Sequence, residues 1–420
     1  MADIFDKLFF ILIYLYMIML PIAPSKYKYK SIPLNGDMIL ALIIIMYLMK
    51  ILFSMDTRKR FIQGIKNFFS DYLTIFLLML SLIMVISILY ASDKKSALSE
   101  TVRFFSYVML FFILKYELHN SQTVDNIMKI YIFVCFLVFS YGILQYFFFS
   151  HLILTNNIFT NFRVDSTLEN SNNLAAFAIL AIFPLIVLFL EQKDKIKKSI
   201  YFLISILAIV NIALSQSRNA LVALAIGCLI LCFLYNYKFI IAFILMGGIA
   251  YTIPQIHKRI LQITDSKEND SRIKIWKVTF KIIKDHPILG IGNGNFPNVY
   301  QQYIKKFPQL INTYGTSDIL HPHNIFLKFQ SELGILGTIA FLGIFITIPI
   351  KLKEFISNTN NCFYKSFYKG FFVSFIAFML MNMVDNFFSA PKVISFFWIM
   401  IAVTQSLMYN SQSKNGKTIV

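Results

Sequence analysis

The stretch His321–Ile350, HPHNIFLKFQSELGILGTIAFLGIFITIPI, joins a polar histidine cluster to a long apolar run. From Asn324 onward the run is long enough, at 1.5 Å per helical residue, to cross about 30 Å of hydrocarbon. Two of the six histidines of the chain sit immediately before it. Similar runs recur along the sequence, at 8–24, 37–54, 71–91, 101–116, 127–150, 172–190, 199–215, 219–236, 238–254, 367–384 and 391–409. They are continuously apolar with no two-residue alternation, so helices rather than a barrel satisfy their backbone groups in lipid. The expected fold is all-α and polytopic, with about twelve transmembrane helices counting the run at 324–350.

Composition agrees with this. Of the 420 residues 57% are hydrophobic and only 14% charged, against about a quarter charged in a soluble protein. The formal net charge of +18 is spread between the runs and forms no long basic tract. Anionic lipid headgroups are therefore the expected partner, and nucleic acid is not. Cys228 and Cys232 lie four apart in one apolar run and, like Cys135 and Cys362, read as small hydrophobes. The N-terminal run has no small-residue cleavage site and reads as a retained first span.

Lysine and arginine are richest in the segments around 50–66, 191–198 and 351–365 and in the C-terminal tail. The positive-inside rule puts these in the cytoplasm. The organisation that follows is helices 1–9 over residues 1–254, an external loop over 255–323, and helices 10–12 with a cytoplasmic tail over 324–420. Arg163, Arg218 and Asp385 then fall on the outer side.

The long loop holds four of the six histidines, and long loops in compact folds tend to carry function. Within it, SRIKIWKVTFKIIKDHPILG (271–290) has an amphipathic pattern. Lysines 274, 277, 281 and 284 share one stripe; Ile275, Trp276, Thr279 and Ile283 share the other. Ser271 can cap this helix and Pro287 ends it. Arg272 projects with the apolar side. It is either a snorkelling first-turn residue at the interface or an arginine aimed inward at an anionic partner.

Arg218 and Arg163 each precede an apolar run. Each is either a charge snorkelling to the headgroups or a guanidinium held there to grip phosphate oxygens with its planar fork. His323 or Asn324 falls at the N-cap or first turn of the helix after Pro322. Free N–H groups and the helix dipole there disfavour an imidazolium, which leaves a neutral histidine able to accept a proton. The alternative is a capping or packing histidine. Gly334 and Gly337, eleven and fourteen residues later, would let a neighbouring helix approach closely. The chain has no Walker loop, HExxH, GxSxG or metal-binding acidic pair for a nucleotide-sugar donor, and GIGNGN (290–295) reads as a turn.

Together these pieces resemble the bacterial O-antigen ligases and Wzy-type O-antigen polymerases. The shared signature is His, then Asn/Ser/Gln, nine residues, Gly, two residues, and Gly/Thr/Tyr. Here it is His323, Asn324, nine residues, Gly334, two residues and Gly337. SQSRNA around Arg218, the segment 271–296 and FRVDSTLENSNNLAAFA (162–178) are similar to further family segments.

The resemblance implies a metal-independent membrane glycosyltransferase of the GT-C type, with no cofactor. It would transfer a glycan in one piece from undecaprenyl pyrophosphate to an acceptor hydroxyl, on the outer face of the cytoplasmic (inner) membrane. By the same resemblance His323 would be the general base or an acceptor-positioning group, with Asn324, Gly334 and Gly337 in support. Arg218 and Arg272, with Arg163 as an addition, would hold the pyrophosphate, and Asp385 would orient an arginine. The acceptor would be lipid A-core of lipopolysaccharide, a growing glycan, a wall polymer or a protein. Ligase and polymerase share these motifs, so both readings stay open. A flippase or solute transporter is the reading from another class. Transport is disfavoured because polar residues gather at one surface and not at mid-span.

Overall fold

The computed structural model describes residues 2–414 apart from short stretches at 25–27, 30–31, 34–35, 157–161 and 313–318, and apart from most of 236–265. Among the described residues the chain is helical, with one two-residue antiparallel strand pair, Lys28–Tyr29 with Ile32–Pro33. The helices are α1 (Ala2–Ile22), α2 (Gly36–Phe53), α3 (Met55–Phe68), α4 (Tyr72–Tyr90), α5 (Lys94–Glu117), α6 (Ser121–Asn156) and α7 (Ser171–Glu191). They continue with α8 (Lys195–Ser215), α9 (Arg218–Tyr235), α10 (Ser266–Asp285), α11 (Phe296–Lys306), α12 (Ile325–Asn358), α13 (Cys362–Asn382) and α14 (Pro391–Lys414).

The protein is an all-α polytopic membrane protein. Nine of the described helices are long and apolar enough to cross a bilayer. The expected twelve runs exceed this count for identifiable reasons. The run at 219–236 forms α9, whose described apolar part is shorter. The run at 367–384 forms α13, which carries Lys365 and Lys369 in its first turns. The run at 238–254 lies almost wholly outside the described residues.

Helices apolar on every side belong in the middle of a bundle, and those with one apolar face at its rim. α7 is the clearest case: its residues from Leu174 to Leu185 are all buried. α13 lies tightly against it, because a Cβ on Gly370 would sit 2.4 Å from the Phe183 carbonyl oxygen. α14 is similarly enclosed, with Trp398 and its neighbours buried among aromatic rings.

At the end of the bundle away from His323, charges are buried in matched groups. Glu117 is 1% exposed and takes Lys50 at 3.1 Å and Arg60 at 2.9 Å. Lys115 meets Asp71 at 2.9 Å. Removing one partner would strand a buried charge, which costs about 3–5 kcal/mol. The basic segment that follows α2 does not run as a loop. It forms the amphipathic helix α3, capped by Ser54 accepting the Thr57 N–H at 3.3 Å.

At the His323 end, α10 and α11 form a small second layer with its own core of Ile275, Val278, Ile282, Phe296 and Tyr300. The sequence pattern set the buried face of α10 one residue off. Ser271, Ile275, Val278, Thr279 and Ile282 point inward, while Trp276 and Ile283 are half-exposed. Ser271 is also no cap, because the helix begins at Ser266. Packing against α11 chose the face; a twenty-residue stripe read in isolation carries an error of about one position.

α12 is not continuous. Gly334 has φ 63° and ψ −161° inside it, a left-handed conformation that only glycine adopts without strain. The broken turn receives the segment from Pro287 to Gly294. Ile291 N–H donates to Ser331 O at 3.0 Å, Gly292 N–H to Glu332 O at 2.8 Å, and Ile335 N–H to Pro287 O at 3.1 Å. The expected role of Gly334, close packing of a neighbouring helix, is corrected here: it admits a loop backbone. Gly337 likewise faces its own helix, at Leu333.

Gly334→Ala is expected to lower the melting temperature of the detergent-purified protein by several degrees. Its Cβ would lie 2.0 Å from the Ile288 carbonyl oxygen, and the backbone strain alone is about 1–3 kcal/mol. Gly248→Ala, with nothing among the described residues within 4 Å of the new methyl, should not lower it. Equal melting of both variants would remove the loop-docking role of Gly334.

Candidate functional site

The Pro287–Asn295 turn is held by side chains from three helices. Gly290, Gly292 and Gly294 all have positive φ, which makes the stretch a turn as its sequence suggested. Asn293 donates to Thr101 Oγ1 at 3.2 Å, and Asn295 Oδ1 accepts the Asp93 N–H at 2.7 Å. The turn thereby ties α12 to the connection between α4 and α5.

Asn324 is the cap of α12. Its Oδ1 accepts the Leu327 N–H at 3.0 Å, and its Nδ2 donates to the Met383 carbonyl at 2.8 Å. His323 precedes the cap with φ 50°, a strained conformation for a non-glycine residue and a frequent mark of functional sites. Its Nδ1 lies 3.4 Å from Asp385 Oδ1. Its backbone N–H donates to His321 Nδ1 at 3.2 Å, and the two rings meet edge to face at 4.5 Å. Trp276 of α10 donates from Nε1 to the Pro322 carbonyl at 2.9 Å, which pins the histidine loop from above.

Electrostatics follow from this geometry. Burial, the neighbouring His323 and then Lys328 push the His321 imidazole down to about 3, against the pull of Asp385. His321 is thus neutral, in keeping with Nδ1 accepting a backbone proton. Burial works to raise the Asp385 carboxyl. The His323 hydrogen bond, the two histidines and the Asn386 N–H outweigh it and hold the group below the usual carboxylate value. An ionised Asp385 accepts the Nδ1 proton of His323 and leaves Nε2 as the basic nitrogen.

Among the described residues, His321, His323 and Asp385 are also a trio whose ligand atoms all lie within 4.8 Å of one another. In the present geometry the three groups are engaged with one another.

The trio borders a cavity of about 520 Å³ between the starts of α5, α7, α12 and α14. Its polar lining includes Ser96, Glu100, Arg103, Asn172, Lys328 and Glu332. Of the residues singled out from sequence, His323 and Asp385 line it.

The arginines do not. Arg163 spends two donors inside the protein, Nε on the Ser215 carbonyl at 2.8 Å and Nη2 on Asn172 Oδ1 at 2.7 Å. It thereby braces the wall that carries Asn172. Arg218 opens α9, and the next residue, Asn219, donates to Met381 O at 2.8 Å. Asn324 donates to Met383 O, so both helix starts hold the same end of α13, beside Asp385. Arg272 lies one turn before Trp276 on α10. Arg218 and Arg272 thus lie on elements, α9 and α10, that contact the segments next to the trio, and neither lines the cavity. Among the described residues Asp385 pairs with His323, where the sequence suggested an arginine.

Sequence reading missed Glu100, Arg103, Lys328 and Glu332. A signal was present for two of them: Lys328 and Glu332 are an i,i+4 charge pair inside an otherwise apolar run, and ionisable residues within spans are seldom idle.

Residues 203–342 match the family described as O-antigen ligase. The match includes Arg218, Arg272, His323, Asn324, Gly334 and Gly337, and ends before Asp385. No curated protein matches the chain.

Acidification should loosen this site. The folded His321 resists protonation down to about pH 3, while in the unfolded chain it titrates near 6.5. The unfolded state therefore binds the extra proton, and stability falls as pH drops from about 6.5 toward 3. The melting temperature of wild type is expected to fall more steeply over that window than that of His321→Asn. Parallel curves would show that His321 titrates freely in the folded protein.

Proposed function

We propose that this O-antigen ligase-family protein is a metal-independent glycosyltransferase of the GT-C type. It moves a glycan in one piece from undecaprenyl pyrophosphate to an acceptor hydroxyl at the outer face of the cytoplasmic membrane. The observation that carries the reading is the His323–Asp385 pair at the edge of a polar cavity, at one end of an apolar bundle. A water-soluble glycan and a lipid-anchored leaving group meet at that depth.

Asp385 fixes the His323 tautomer and stabilises the imidazolium that forms. His323 Nε2 removes the proton of the acceptor hydroxyl as its oxygen attacks the anomeric carbon. The bond between that carbon and the pyrophosphate oxygen breaks, and undecaprenyl pyrophosphate leaves with the electron pair. Negative charge grows on the leaving group, so preorganised cations contribute more than covalent help. Arg218 and Arg272, on two elements that contact the segments next to the trio, are assigned that part. Arg163 is assigned to the wall through Asn172. General-base catalysis of this kind contributes about 10²–10⁴-fold.

The test is transfer by the purified protein in liposomes with a short undecaprenyl-pyrophosphate oligosaccharide. A ladder of longer lipid-linked chains without added acceptor assigns a polymerase. Product only after addition of lipid A-core, wall polymer or protein assigns a ligase. No transfer with any acceptor rejects the enzyme and favours transport.

In the same assay His323→Ala is expected to abolish transfer and Asp385→Asn to slow it about 10²-fold. Arg218→Lys should lose most activity although the charge remains, because lysine cannot form the bidentate fork. Near-normal rates in any of these remove that residue from the mechanism. EDTA should leave turnover unchanged. Inhibition by EDTA that a divalent ion reverses would make the His321–His323–Asp385 trio a metal site.

A further inference from the structure

The floor of the cavity holds four charged side chains that the mechanism above does not use. Arg103 Nη1 lies 2.7 Å from Glu100 Oε1, and Lys328 Nζ lies 3.9 Å from Glu100 Oε2 and 3.7 Å from Glu332 Oε2. Glu332 is 1% exposed. Its Oε2 accepts the Gly294 N–H at 2.9 Å, and its carboxylate faces the Phe296 N–H at the start of α11. Its Oε1 is buried without a hydrogen-bond partner among the described residues. A buried carboxylate oxygen left unsatisfied costs about 1–3 kcal/mol or more. Such a group at a cavity wall is better explained by a ligand that donates to it.

We infer that Glu100, Arg103, Lys328 and Glu332 form the subsite for a sugar residue of the acceptor. Charge balance selects the ligand class. Two cations face two carboxylates, so a pyrophosphate placed here would meet Glu100 and Glu332 as well as the cations. A polyhydroxylated neutral ring suits the set: its hydroxyls donate to the carboxylates and accept from the guanidinium and ammonium. Ser96 and Asn172 add further donors and acceptors, and Phe387 and Pro391 supply apolar surface. At about 520 Å³ the cavity falls within the range of small-ligand sites, about 300–1,000 Å³.

Lys328 lies five residues after His323 and lines the same cavity. A ring on this floor therefore presents a hydroxyl toward the histidine. Glu100 and Arg103 lie outside the 203–342 match, so the selectivity of this subsite is set partly by a segment that the family match does not include.

This inference rests on the glycosyl-transfer reading, and the experiment separates the two. The probes are lipid-free core oligosaccharide, which stands for a ligase acceptor, and the oligosaccharide released from the donor, which stands for the growing-chain acceptor of a polymerase. Binding of each to the purified protein is measured directly, and acceptor and donor KM are measured in the liposome assay with the acceptor supplied as a molecule separate from the donor. Glu332→Gln and Arg103→Ala are each expected to weaken oligosaccharide binding and raise acceptor KM about tenfold or more, with donor KM unaltered. The same loss of binding in the His323→Ala background would hold whether or not transfer occurs. If wild type binds the oligosaccharide through these residues but transfers nothing, the subsite stands and the transfer reading falls. Unchanged binding in both variants, or a rise in donor KM in place of acceptor KM, overturns the subsite. Arg103 is partly exposed and, among the described residues, bonds a neighbour on its own helix, so Arg103→Ala keeps the test valid if Glu332→Gln does not fold.

Discussion

The docking of the Pro287–Asn295 turn into the break at Gly334 is the constraint on which the rest of this end of the molecule depends. A continuous helix would have kept the Ser331 and Glu332 carbonyls for its own ladder. The left-handed residue at 334 frees them, and the turn supplies the Ile291 and Gly292 N–H groups in exchange. Backbone polar groups at membrane depth must be paired within the protein, so the break and the turn require each other. The exchange also carries Gly294 N–H to the Glu332 carboxylate.

Everything polar at this end is built outward from that joint. The turn positions α10 and α11, and Trp276 of α10 holds Pro322. That contact helps fix the left-handed His323 and brings its Nδ1 toward Asp385. α13 supplies the other anchor, because the carbonyls of Met381 and Met383 accept from Asn219 and Asn324. The starts of α9 and α12 are therefore registered on one helix end. Arg218 and His323 share a location for that reason, although more than a hundred residues separate them.

The two ends of the bundle treat charge differently. At the far end Lys50, Arg60 and Glu117, and Lys115 and Asp71, are matched closely and shielded, which suits a structural role. At the His323 end, Glu332 keeps an unsatisfied oxygen, Lys328 is held near 4 Å from two carboxylates, and His321 is kept neutral. An arrangement with unused hydrogen-bonding capacity beside a cavity is poised for a ligand.

The sequence by itself determined the class of fold, and it singled out His323 as a candidate. Apolar run length is set by bilayer thickness, so the spans were legible wherever a helix crosses alone. His323, Asn324, Gly334 and Gly337 were legible because their spacing is local to one helix. What sequence could not supply was partnership. The sequence suggests an arginine for Asp385, and only the fold of the α13–α14 connection against the start of α12 shows its carboxylate on His323. The buried face of α10 slipped by one residue because α11, not the stripe itself, chooses it. The reason for Gly334 lay in a loop forty residues upstream. Glu100 and Arg103 joined Lys328 and Glu332 only through the packing of α5 against the turn. Local periodicity is written in the chain; contacts between distant segments exist only once the helices have found one another.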